Sequence, residues 1–84
     1  GENMEDYCVI TFQITQHALI FEKNMKDLGY RIKLMPVPRQ VSSSCGTAAK
    51  IPCNKKDEIL NICKEKNLPI EDFHKIEHKK NSWF

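Results

Sequence analysis

Arg31-Ile32-Lys33-Leu34, Pro36-Val37-Pro38, Arg39-Gln40-Val41-Ser42-Ser43-Ser44-Cys45-Gly46 and Thr47-Ala48-Ala49-Lys50-Ile51 make up the stretch that decides the fold. Its first segment alternates polar and apolar residues, the pattern of a half-exposed strand. The two prolines stop that strand, because neither can donate to a ladder and each restricts the residue before it. A polar loop follows, and a strand of small residues comes after it. Two strands joined in this way, with helical patterns on both sides, restrict the chain to few topologies.

Upstream, Tyr7-Cys8-Val9-Ile10-Thr11-Phe12 is a continuous β-prone run, expected of a central strand. A helix follows. Thr15 is expected as its cap, and Ala18, Phe21, Met25 and Leu28 recur on one face. Glu22 and Lys26 form an i,i+4 pair in the favourable order. Gly29 stands where the end of a helix favours a left-handed residue. Downstream, Pro52 closes the small-residue strand, and Asn54 is expected to cap a second helix with Asp57 as its capping-box partner. Ile59, Leu60, Ile62 and Cys63 supply the buried side, with Cys63 facing the sheet. Asn67-Leu68-Pro69 ends that helix. Phe73 to His78 reads as a last strand, with Ile70 and Ile76 as its apolar anchors. Residues 81–84 are expected as a short tail, with Trp83 and Phe84 as hydrophobic anchors against this domain or another chain.

The order β-α-β-β-α-β gives an α+β, ferredoxin-like sandwich: two helices on one face of a four-stranded antiparallel sheet. Right-handed crossovers set the spatial order 4-1-3-2. Residues 7–80 are expected as the single domain. Residues 1–6 are expected as a disordered or tag-derived start, with Met4 the true beginning, and 81–84 as the tail. In this layout Cys45 and the start of helix 1, including His17, share one end of the sheet. Cys53 falls at the other end, near Cys8. The open sheet face is one on which a homodimer could form.

Length and composition agree with this reading. The chain has 84 residues, so it holds one domain. With 40% hydrophobic and 29% charged residues, it is of ordinary globular composition. No apolar run reaches the roughly 18 residues of a membrane span, and the acidic N-terminus does not read as a signal peptide. The net charge of +2 is too weak to argue for nucleic acid. The basic cluster His74, Lys75, His78, Lys79 and Lys80 reads as a solvated face. His74 and His78 point to one face of the expected strand, but two histidines make a weak metal site.

The four cysteines are Cys8, Cys45, Cys53 and Cys63. The absence of a secretion signal argues against disulfides. No pair has the Cys-x-x-Cys spacing of a zinc site. Cys8 and Cys63 read as small buried hydrophobes. Cys45 is different. Arg39 places a permanent charge within loop reach, Ser42, Ser43 and Ser44 offer hydroxyl donors, and Gly46 allows a backbone nest for an anion. Such surroundings lower a thiol pKa, and the thiolate is the nucleophile. His17 reads first as a partly exposed helix residue and second as a proton donor or acceptor. A serine-rich loop is also a common surface connection, so residue types alone leave the two readings level.

The chain resembles the selenium/sulfur carrier-like family. The matching residues are Tyr7 to Phe12, His17-Ala18-Leu19, Glu22-Lys23, Gly29, Leu34-Met35-Pro36-Val37-Pro38-Arg39 and Val41-Ser42-Ser43-Ser44-Cys45-Gly46. The resemblance implies a cytoplasmic bacterial protein. It would hold sulfur or selenium on Cys45 as a persulfide or selenosulfide, with no cofactor and no metal. Donor and acceptor proteins would load and unload it, and it would be a covalent carrier rather than an enzyme with its own turnover. Two other classes compete. One is a non-catalytic ligand- or protein-binding module, which would keep its activity without Cys45. The other is a thiol oxidoreductase, which needs a second cysteine beside Cys45.

Overall fold

A computed structural model describes residues 7–76. His78, Lys79, Lys80, the tail with Trp83 and Phe84, and the expected start at residues 1–6 lie outside the described residues. The elements are β1 (Tyr7–Thr11), α1 (Thr15–Asp27), β2 (Lys33–Pro36), β3 (Thr47–Ile51), a 3-10 turn (Cys53–Lys55), α2 (Lys56–Glu65) and β4 (Asp72–Ile76). The sheet order is β2-β3-β1-β4, which from the opposite edge is 4-1-3-2. All three strand pairings are antiparallel. The α+β sandwich read from the sequence is the fold.

β1 is central, so it reads as an unbroken apolar run and side-chain parity sorts its residues. Cys8 and Ile10, with Phe12 just beyond the strand, meet Ala18, Phe21 and Met25 of α1 and Ile59 and Cys63 of α2. Val9 joins Ala48 and Ile76 in a second cluster on the other face, where Tyr7, Met35, Val37 and Val41 pack against it. Phe12 and Phe21 are fully buried, with ring centroids 5.4 Å apart at a tilt of 53°. Truncating either to alanine would cost about 3–5 kcal/mol.

Local chemistry departs from the expected caps. The N-cap of α1 is the extended Ile14, and Thr15 is its first helical residue, with no side-chain cap bond. Asn54 lies inside the 3-10 turn, so Lys55 is the N-cap of α2. Leu28 is not core. It caps the C-terminus of α1 and is 48% exposed. The helix ends do follow the sequence. Gly29, at φ +90°, donates to the Lys26 carbonyl while Tyr30 N–H reaches the Met25 carbonyl. Asn67, at φ 54°, repeats the motif: its N–H bonds Lys64, and Leu68 N–H bonds Cys63. Both are Schellman ends, which need a left-handed residue.

β2 starts later than expected, at Lys33, and includes Pro36 opposite Thr47. β2 is an edge strand, and an edge tolerates proline.

The largest correction concerns sulfur. Cys8 and Cys53 form a disulfide with their Cα atoms 5.3 Å apart. The topology places them together, because Cys8 is opposite Ile51 and Cys53 follows two residues later. Cys8 is therefore a bonded partner rather than a free buried hydrophobe. Cys45 and Cys63 are the free cysteines.

Candidate functional site

The connection from β2 to β3 crosses the end of the sheet. Val37 and Val41 pack on the open face, whereas Cys45 packs on the helix-side core. The loop is tied where it crosses. Val37 N–H donates to the Gly46 carbonyl (3.1 Å), and Val41 N–H to the Pro38 carbonyl (3.0 Å). The Ser43 hydroxyl donates to the Phe12 carbonyl (3.2 Å). Ser44 donates its hydroxyl to Glu71 Oε2 (2.9 Å) and its N–H to Oε1 (3.4 Å). Glu71 N–H in turn donates to the Thr11 carbonyl at 2.7 Å. Each tie reduces the conformational freedom that a reactive side chain would otherwise explore.

Gly46 has φ +75°, and a Cβ built on it would meet nothing within 4 Å. Backbone conformation, not crowding, therefore selects glycine there. This turn leads directly into β3 and brings the Cys45 sulfur back onto Thr47. Cys45 Sγ lies 3.4 Å from Thr47 N and 3.4 Å from Thr47 O. It accepts from the N–H and, as a thiol, donates to the carbonyl. An anionic sulfur could only accept.

The expected site residues separate into two groups. Ser43 and Ser44 point to protein acceptors, not to the Cys45 sulfur. Ser42, Arg39 and Gly46 are exposed, and Arg39 forms no ion pair among the described residues. His17 is half-buried in the first turn of α1, where its N–H donates to the Ile14 carbonyl at 3.1 Å. Thr11, at the end of β1, is opposite Ala48 and Asp72, so Cys45, Glu71 and the start of α1 share one end of the sheet.

Glu71 was not singled out from the sequence. The Ser44 hydroxyl holds its carboxyl below the ordinary glutamate range, and burial pulls the other way. The Ser44 N–H and the Ser43 and Thr11 hydroxyls add to the lowering. The strand order offered a signal for Glu71, since a residue just before β4 must adjoin the end of β1.

Cys63 is a contrast. Burial alone pushes its thiol up to about 11, so it is protonated at neutral pH. The disulfide sulfurs do not stand beside Cys45, because they lie at the far end of β1 and β3. Among the described residues, no group of three or more His, Cys, Asp or Glu could hold a metal ion. No helix there is long and apolar enough to cross a membrane.

A family model described as "Putative Se/S carrier protein-like" matches residues 7–75. No curated protein and no solved structure matches the chain.

Proposed function

The chain belongs to the Se/S carrier protein-like family, and from that premise we propose that it carries sulfur or selenium on Cys45 as a persulfide or selenosulfide. The loading step is a transfer between sulfurs. The Cys45 thiolate attacks the outer sulfur of a donor persulfide, the donor S–S bond breaks, and the donor leaves as a thiolate. The product is a Cys45 persulfide. No net oxidant is needed, because the sulfur arrives already in the sulfane state.

One observation carries this reading. Cys45 is the free, half-buried thiol on a tied loop, with a backbone N–H directed at its sulfur. The backbone donor suits an anionic sulfur, which would keep the Thr47 N–H and turn away from the Thr47 carbonyl 3.4 Å off. Ser43 and Ser44 serve by holding the loop. Ser42, Arg39 and Gly46 are left open to the solvent side, where they can meet a persulfide anion or a partner's charge. His17 is the candidate proton donor or acceptor at that end.

Donor and acceptor proteins, a bacterial cytoplasmic setting and the lack of independent turnover belong to this proposal. A homodimer through the open face would have to accommodate Val37 and Val41, which already pack on part of it.

The test is anaerobic loading from a persulfide donor, followed by peptide mapping. One added sulfur on Cys45, absent from Cys45→Ser, is the expected result. A Cys45 that takes no sulfur sinks the proposal and favours the ligand-binding module.

A further inference from the structure

The opposite end of the sheet holds the other pair of sulfurs and a concentration of positive charge. An open cleft of about 1220 Å³ lies there, with Cys53 in its wall. Lys26, Arg31, Lys33, Lys50 and Lys55 line it, and no carboxylate among the described residues does. Lys26 is paired with Glu22 (3.1 Å) and Lys55 with Glu58 (3.6 Å). The Lys50 ammonium sits 5.1 Å from the centre of the Tyr7 ring. Arg31 and Lys33 form no ion pair among the described residues. A concave surface lined by one sign of charge concentrates small ions of the other sign.

We infer that the Cys8–Cys53 disulfide is a second loading site, at which a hydrogen chalcogenide anion, hydrosulfide or hydroselenide, enters the basic cleft and attacks the Cys53 sulfur. Access selects the sulfur attacked. Cys53 is half-buried in the cleft wall, whereas Cys8 is 2% exposed. The new bond joins the incoming chalcogen to Cys53, and the Cys8–Cys53 bond breaks. Its electron pair leaves on Cys8, which becomes a thiolate and takes up the proton of the new perthiol. Hydrosulfide plus disulfide thus gives a Cys53 perthiolate and a Cys8 thiol. The disulfide is the oxidant, and no other is required. The charges suit this outcome: the anion remains among lysines, and the neutral thiol is the buried group.

The inference rests on the carrier reading for its choice of anion, but not on Cys45. The two sites differ in what they accept. A lone thiol takes sulfane sulfur only, whereas a disulfide takes sulfide-level sulfur and oxidises it in the same step. In the reducing compartment proposed for the protein, disulfides are usually transient and working bonds rather than permanent staples.

The experiment uses the oxidised Cys45→Ser chain, treated anaerobically with sodium sulfide and, separately, with sodium selenide. Trapping by alkylation and peptide mapping should find one added chalcogen on Cys53 and a free thiol on Cys8. Reaction with only one reagent would assign the element carried. Arg31→Glu with Lys33→Glu should slow addition about tenfold, whereas Lys23→Glu with Lys66→Glu, which changes net charge equally outside the cleft, should not. An adduct on Cys8, no adduct, or equal slowing by both charge pairs overturns the inference. If Cys45→Ser fails to fold, mapping Cys53 in the unaltered chain gives the same answer. Persulfide loading at Cys45 is scored in its own reaction, so either site can fail alone.

Discussion

The two ends of the β1–β3 pair place sulfur in opposite settings. At one end Cys45 is a free thiol on a loop held by hydrogen bonds to Phe12 and Glu71. At the other, Cys8 and Cys53 are joined, and the surroundings are lysine and arginine. The five residues of β3 separate these ends by about 13 Å, at ~3.3 Å per residue. Sulfur at one end cannot resolve sulfur at the other without unfolding the sheet. That separation argues against an oxidoreductase that pairs Cys45 with this disulfide, and it lets one small domain keep a thiol and a disulfide apart.

Reduction of the disulfide should produce the largest effect. It closes a span of 45 residues, worth about 4 kcal/mol in unfolded-state entropy. Replacing both Cys8 and Cys53 by serine should lower Tm by roughly 15–30 °C. The loop end should be indifferent, so alkylation of Cys45 at a temperature where both proteins are folded should proceed at an unchanged rate. A changed Cys45 rate would break the independence of the two ends.

Next in size is the contrast between the two free thiols. With its thiol pushed up to about 11, Cys63 holds a thiolate fraction of roughly one in several thousand at pH 7.5. Cys45 should be alkylated at least about a hundredfold faster in the folded protein. That margin is a conservative reading of the Cys63 thiolate deficit. Comparable rates, read by mass spectrometry, would remove the distinction between a loop thiol and a core thiol.

Gly46→Ala should cost about 1 kcal/mol, because alanine is strained at φ +75° although it has room. Thermal unfolding would show the loss. Gly29→Ala, at φ +90° in the other left-handed turn, should cost a similar amount but leave Cys45 chemistry alone.

The smallest expected effect concerns pH. The folded-state Glu71 carboxyl lies below its ordinary value. It therefore contributes stability above that ordinary value, and the contribution is lost as pH falls through the lowered one. The Ser44 amide resonance should titrate in that acidic window in the native chain and not in Glu71→Gln. An identical titration in both would show that Glu71 does not tie the loop.

Much of this was legible in the residues. The β1 run, the α1 stripe of Ala18, Phe21 and Met25, and the Gly29 and Asn67 helix ends follow from patterns local in sequence. The strand order followed from handedness, and with it the end shared by Cys45 and the start of α1. The disulfide did not, although Cys53 was expected near Cys8. The expectation of a reducing compartment outweighed that proximity, and compartment says nothing of geometry. The Ser44–Glu71 bond spans 27 residues and depends on which side chain the loop turns toward a carboxylate. Residue types showed hydroxyl donors but not their acceptor. The caps failed for a similar reason: Thr15 and Asn54 have the right chemistry, but each lies one or two positions inside its turn.

Pro36 adds a consequence for assembly. It is the last residue of an edge strand, and its neighbour Val37 directs its own N–H inward to Gly46. At Pro36 itself the outward side of the strand has no amide hydrogen to offer. An incoming chain therefore finds a gap in the template where it would begin to zip onto β2. Beside the Cys45 loop, the molecule is guarded against being copied edge to edge into a larger sheet. A protein that meets this end of the edge would have to recognise side chains and loop rather than add a strand.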